Sequence, residues 1–168
     1  MTVLLEVKGL QKVYTTRFGG TSVTALRNVN LSVEKGEYIA IMGESGSGKT
    51  TLLNILAALD RPTRGQVLLD GNDITAISEK ELSAFRRSNL GFVFQDFNLL
   101  DTFNLKDNIF LPLVLSGKKY GEMNKRLKPL AAMLGITDIL YKFPYEVSGG
   151  QKQRAAVARA LLTSPLLI

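Results

Sequence analysis

The 168-residue sequence contains no cysteine, no histidine and no tryptophan. Without cysteine there is no disulfide and no thiolate metal site, which fits a reducing compartment. Without histidine, no imidazole can act as base or metal ligand. Long apolar runs are missing too: the longest, residues 109–115, falls far short of the ~20 residues that span a bilayer. The first residues, Met1-Thr2-Val3-Leu4-Leu5-Glu6, meet a charge too early for a signal peptide. Acidic residues are the minority, 15 against 21 Lys and Arg, for a net charge of +6. That balance suits polyphosphates, acidic membrane surfaces or nucleic acid without choosing among them. No basic run exceeds Arg86-Arg87 or Lys118-Lys119, so a solvated basic surface is the plainer reading. Repeats, low-complexity tracts and linkers are absent. With 45% hydrophobic residues the chain reads as one globular unit or part of one, soluble by itself.

The most informative stretch is Gly43-Glu44-Ser45-Gly46-Ser47-Gly48-Lys49-Thr50-Thr51, set between the apolar runs 38–42 and 52–56. Strand, glycine-rich loop and helix is the context that gives G-x-x-x-x-G-K-[ST] its physical meaning. The glycines let successive N–H groups turn inward around an anion. A helix opening near Lys49 adds unpaired N–H groups and the positive end of its dipole. Lys49 is expected to reach the β- and γ-phosphates of a nucleotide, and the Thr50 hydroxyl to ligate Mg²⁺. A glycine-rich hairpin or linker is the bland alternative.

Along the chain, residues 4–13 read as a strand or strand pair with a polar break at Lys8-Gly9, followed by a loop at 15–21. Val29, Leu31 and Val33 alternate with Asn30 and Ser32, the period of a half-buried strand. The continuous apolar run 38–42 predicts a strand buried on both faces, as in a parallel sheet. A helix over about 49–59, a turn at 61–65, a strand at 66–69 and a turn at 70–73 follow. Ser78 and Glu81 form the ends of a capping box opening a helix toward Arg87. Residues 90–94 are strongly β-prone and end at Gln95; 96–105 is a loop. Residues 105–115 and 120–134 read as helices, the second interrupted or kinked at Pro129. A short helix or turn at 136–143 precedes a helix from about 148 to 163. Val157, Leu161 and the alanines between them are expected inside that helix, Lys152 and Arg154 outside. Residues 166–168 begin another apolar strand.

Ser148-Gly149-Gly150-Gln151 repeats the pairing of glycines with a helix start, either as a second anion site or as an ordinary N-cap on Ser148. With the two loops, a Gln95 at the end of a strand between them and Tyr14 upstream, the chain resembles an ATP-binding-cassette (ABC) ATPase. The resemblance runs from about residue 4 to 168. Residues 3–7, 25–29, 43–49 and 59–65 look like the lipoprotein-release and macrolide-export branch. Phe94-Gln95-Asp96-Phe97-Asn98-Leu99-Leu100-Asp101 is similar to the subgroup that handles antimicrobial peptides such as bacitracin. The resemblance implies an α/β P-loop NTPase fold of ABC type over 1–168. It comprises an N-terminal antiparallel β subdomain, a parallel-sheet core and a helical subdomain at about 96–147.

The resemblance also implies roles. Tyr14 would stack on adenine, with Gly43, Glu44, Ser45, Gly46, Ser47, Gly48, Lys49, Thr50 and Thr51 holding the phosphates of ATP. Thr50 and Gln95 would attend Mg²⁺, with Lys49 and Gln95 the catalytic residues. Ser148, Gly149, Gly150 and Gln151 would contact the γ-phosphate held by the other subunit of a head-to-tail, ATP-dependent homodimer. Residues 97–103 would receive a transmembrane permease, placing the chain at the cytoplasmic face of the membrane and coupling ATP hydrolysis to export or release. Without context, Tyr14 reads as a strand-end core residue, Gln95 as a surface glutamine, and 97–103 as a loop covering the core.

In the family, the strand begun at 166–168 ends in an Asp that holds Mg²⁺ through water and a Glu that acts on the attacking water. Neither residue occurs before Ile168. The chain as written is therefore expected to be a C-terminally incomplete ATPase with negligible turnover and exposed sheet edges. A cassette ATPase acting on nucleic acid, or a nucleotide-binding module without catalysis, are the competing readings. The former's coiled coil or second cassette is not visible, so no nucleic-acid partner is expected.

Overall fold

The structure, a computed structural model, describes residues 2–15 and 20–168, so most of the loop expected at 15–21 lies outside the described residues. The chain divides into two compact units, one up to Leu82 and one over Ser83–Ile168.

In the first unit, β1 (Val3–Thr15) is one continuous strand rather than a pair. It buries Leu5, Val7 and then Leu10, a shift in alternation that falls at Gly9, whose φ is +56°. The apparent polar break is thus a bulge. β2 (Ser22–Glu34) pairs antiparallel with β1 and carries the expected alternation, Val29, Leu31 and Val33 inward of Asn30 and Ser32. β3 (Arg64–Leu69) pairs with the other edge of β1, and β4 (Asn72–Asp73) returns from it, giving the order β2-β1-β3-β4. Asp70 and Gly71 both have positive φ, as a two-residue hairpin turn requires. Gly65 lies against the bulge: a Cβ there would sit 2.4 Å from the Gly9 carbonyl oxygen. Helix α1 (Lys49–Leu56) buries Leu52, Ile55 and Leu56. Arg61 donates to Glu79 and to the carbonyls of Thr75 and Ile77, tying the turn before β3 to the start of α2 (Glu79–Asn89).

Two expected strands are not there. Residues 38–42 form no ladder, and Tyr38 is 93% and Met42 87% exposed. A strand buried on both faces needs neighbours on both edges, and no described residue pairs with this run. Of 90–94, only Leu90 bridges, parallel, to Leu167. The expected parallel-sheet core is thereby reduced to one bridge, and the sheet that does form is antiparallel.

The second unit is helical. α3 (Leu105–Val114), α4 (Tyr120–Met133) and α5 (Gly149–Leu161) surround a core that includes Leu105, Ile109, Leu113, Leu127 and Leu162. α4 runs through Pro129 without interruption. In α5 the buried residues are Ala155, Ala156, Ala158 and Ala160, while Val157 and Leu161 are only half-buried. Lys106, 7% exposed, donates to the Tyr120 hydroxyl at 2.7 Å and the Tyr141 hydroxyl at 3.3 Å. Its ammonium lies over both rings, and the bond from Tyr120 outweighs burial to hold its pKa above the usual lysine value.

Asn108, fully buried, clasps the loop before α3. Its Oδ1 accepts from the Leu100 N–H at 2.7 Å, and its Nδ2 donates to the carbonyls of Leu100, Phe103 and Asn104, each at 3.0 Å. Replacing it with Leu leaves those backbone groups without this partner. Asn108→Leu is expected to lower unfolding free energy by roughly 3 kcal/mol in urea denaturation, because buried unsatisfied groups carry their desolvation cost.

Candidate functional site

The glycine-rich loop comes first. Gly43, Gly46 and Gly48 have φ of +154°, +82° and +91°. At Gly48, the N-cap of α1, an added Cβ would lie 2.4 Å from the Ala25 carbonyl oxygen and 3.0 Å from Leu26 Cδ2. Only glycine can bring the helix start this close to β2. No side chain caps α1, and its first turn holds no acidic residue. Its leading N–H groups and dipole therefore stay available to an anion. Lys49 folds back over the loop, its Nζ donating to the carbonyls of Gly43 at 2.7 Å and Glu44 at 2.6 Å. The exposed Thr50 hydroxyl stands beside it on the first turn.

These donors fit a phosphate chain. The described residues hold no group of three or more carboxylates that could cage a metal. Mg²⁺ commonly keeps its waters and takes substrate phosphates with few protein ligands. Thr50 is the side chain of this loop that would hold it.

Tyr14 sits at the end of β1, 44% exposed, in a network that sequence reading missed. Its hydroxyl donates to Asp60 Oδ2 at 2.9 Å, while Lys12 Nζ donates to Asp60 Oδ1 at 2.6 Å and to the Arg61 carbonyl. The ring is thereby held at both its oxygen and its face, since Lys12 Nζ lies 4.8 Å from its centroid. Burial pushes the Asp60 carboxyl up. The bonds from Lys12, Tyr14 and the Arg61 N–H, with the charge of Lys12, outweigh it and hold the pKa below the usual value. A carboxyl lowered in the folded chain stabilises fully above its unfolded pKa, near 4, and the contribution disappears as pH falls through the folded value. Asp60→Asn is accordingly expected to cost about 1–2 kcal/mol at pH 7. The gap to the parent should close below about pH 4, as chemical denaturation at a series of pH values would register. In the sequence Asp60 falls in the 59–65 run that carries the resemblance and beside Arg61-Pro62, which reads as a turn, and neither points to Lys12 or Tyr14.

In the second unit, Gln95 is exposed on the turn that begins at Phe94, and its amide has no partner among the described residues. At the head of α5, Ser148 Oγ accepts from the Gln151 N–H at 3.3 Å and Gln151 Oε1 from the Ser148 N–H at 2.9 Å, a capping box. Ser148, Gly149 and Gly150 are exposed beyond it. The motif is therefore an N-cap whose glycines leave its outer surface bare. Tyr14 and residues 43–51 belong to one unit, Gln95 and residues 148–151 to the other.

Comparison with known proteins bears on the family and the fold. A model of the ABC transporter family matches residues 26–168. The bacitracin export ATP-binding protein BceA of Halalkalibacterium halodurans is 45% identical over 98% of this chain and 64% of its own length. The lipoprotein-releasing system ATP-binding protein LolD of Bacteroides thetaiotaomicron is 43% identical over 98% of the chain and 73% of its own. Among solved structures, the ATP-binding cassette MJ0796, a dimer in a post-hydrolysis state bound to ADP and Pi, superposes with a TM-score of 0.86 at 38% identity, covering 96% of this chain and 71% of that one. The mixed α/β architecture is thus that of a cassette, present in part. The chain spans 64% of the length of the relatives it matches at 45% to 52% identity. No described helix is long and apolar enough to cross a membrane. On the family match and on these identities over nearly its whole length, the chain belongs to the ABC transporter family.

Proposed function

We propose that this chain is the ATP-binding portion of an ABC transporter ATPase, which binds MgATP on residues 43–51 and couples its hydrolysis to export or release by a separate transmembrane permease. The observation that carries this reading is the close approach at Gly48, which sets an uncapped helix start beside a glycine-rich loop that Lys49 folds over. Tyr14 offers adenine a π-face, worth about 1–3 kcal/mol by analogy with base stacking on aromatic side chains. Mg²⁺, when bound, neutralises charge on the phosphate oxygens. Thr50 would hold it, and Gln95 would attend it and the attacking water.

The bare surface at Ser148–Gly150 supports a second role, closing on the γ-phosphate held by another copy. The dimeric state of the MJ0796 cassette and its bound ADP and Pi favour the same arrangement here. Transport is assigned to the cytoplasmic face of a membrane, through the permease. Similarity to BceA favours an antimicrobial peptide as the cargo class.

The test is titration calorimetry on the full-length chain with MgATP, MgADP and inorganic phosphate, joined to sedimentation with and without ATP. MgATP binding accompanied by dimerisation is expected. Absence of MgATP binding would end the reading, and binding without dimerisation would end its two-subunit part.

A further inference from the structure

Residues 94–98 reverse the chain in a way that L-residues resist. Phe97 has φ of +62° and Asn98 +45°, two consecutive non-glycine residues in the left-handed region. Asparagine tolerates that region; for a bulky aromatic it is an outlier that surrounding contacts must hold. The turn's own bonds are few: the Phe97 N–H donates to the Phe94 carbonyl at 3.0 Å and the Asn98 N–H to the Asp96 carbonyl at 2.7 Å.

What holds it is Arg159, on α5. Its Nη2 donates to the Phe97 carbonyl and its Nη1 to the Asn98 carbonyl, both at 2.6 Å. The planar fork matches two neighbouring carbonyls, a geometry that a lysine cannot reproduce with its single point of charge. Burial drives the guanidinium's pKa down, yet no carboxylate among the described residues pairs with it. A half-buried charge spent on two backbone oxygens points to a demand for that one turn conformation. Gln95 lies immediately before the clamped pair. Ten residues along α5 from Arg159, about 15 Å at 1.5 Å per residue, stands Gly149.

We propose that Arg159 is a positioning residue: it clamps the turn at Phe97-Asn98, and so places the loop that carries Gln95 and joins it to the helix headed by Ser148–Gln151. The consequence for turnover rests on the proposed role of Gln95; the clamp itself does not. Displacement of the Gln95 loop must either break two charge-assisted bonds or carry α5 with it.

The experiment compares Arg159→Gln and Arg159→Lys, alone and in a Gln95→Ala background, in the full-length chain. Amide hydrogen exchange over residues 95–99 and steady-state ATPase are the readouts. Exchange there is expected to rise about tenfold or more, the equilibrium equivalent of one lost charged hydrogen bond. kcat should fall between about tenfold and about a hundredfold with KM for ATP unchanged, as for a group displaced from its working position. In the Gln95→Ala background, Arg159→Gln should lower kcat no further. Unchanged exchange overturns the proposal, and so does a loss of kcat that adds in full to that of Gln95→Ala. If Gln95→Ala alone leaves kcat intact, the role of Gln95 has failed, and exchange still decides the clamp. Should Arg159→Gln not fold, Arg159→Lys keeps the charge and stem and gives the same readouts.

Discussion

Aspartate in place of Gly149 is expected to leave the chain folded, slightly stabilised, and to lower ATP turnover by at least about a hundredfold. The two effects have opposite signs for separable reasons. Gly149 is the first residue of α5 and exposed, and a Cβ there meets nothing within 4 Å. The first turn of α5 holds no acidic residue, so a carboxylate placed in it gains about 0.3–1 kcal/mol from the helix dipole. Among the described residues nothing stands in the way of the substitution. What objects, on the proposed function, is the γ-phosphate of a second subunit, brought against a fixed negative charge in a site closed to water. Thermal melts of the full-length variant should therefore match or exceed the parent while its ATPase and ATP-dependent dimerisation vanish. Full activity in Gly149→Asp would remove residues 148–151 from the nucleotide site.

In the full-length protein, Lys49→Ala is expected to cost about 10²–10³ in kcat, the scale for removing one preorganised donor from developing charge, and to weaken MgATP binding as well. In this structure the ammonium is held by the Gly43 and Glu44 carbonyls and, at 3.4 Å, by Ser47 Oγ. Those contacts are local to an exposed loop, so urea denaturation should register less than about 1 kcal/mol. Lys49→Arg keeps the charge but not the compact point of it, and should fail similarly. Retained affinity and turnover in Lys49→Ala would dismiss the phosphate cradle.

How legible this chain was depends on how local the relevant physics is. The phosphate loop was readable because positive φ at glycine and a helix start are set within a few residues. The same holds for the N-cap on Ser148, one of the two readings of that motif, for the alternating Val29, Leu31 and Val33, and for the helices over 105–134. Residues 38–42 and 90–94 misled because continuous apolarity predicts burial only when neighbouring strands exist, a condition no local window contains. In α5 the pattern favoured Val157 and Leu161, whereas the residues buried are alanines, since helices packed close together select for small side chains rather than large ones. Lys12, Asp60, Asn108 and Arg159 went unseen as working residues. Their partners are backbone atoms or carboxylates on other segments, and a lone polar residue carries no periodicity. Asn108 came nearest to a signal, as an amide inside an otherwise apolar helical stretch.

The alanine face of α5 has a mechanical consequence. Ala155 and Ala158 are fully buried in the core that α3 shares, and any change there except to glycine is an enlargement. Alanine has no side-chain torsion with which to absorb a displacement, so any rotamer adjustment at this contact falls to Leu105, Ile109 and Leu113 of α3. Ser148, which caps α5, sits at the end of the same helix whose buried face is built of alanine.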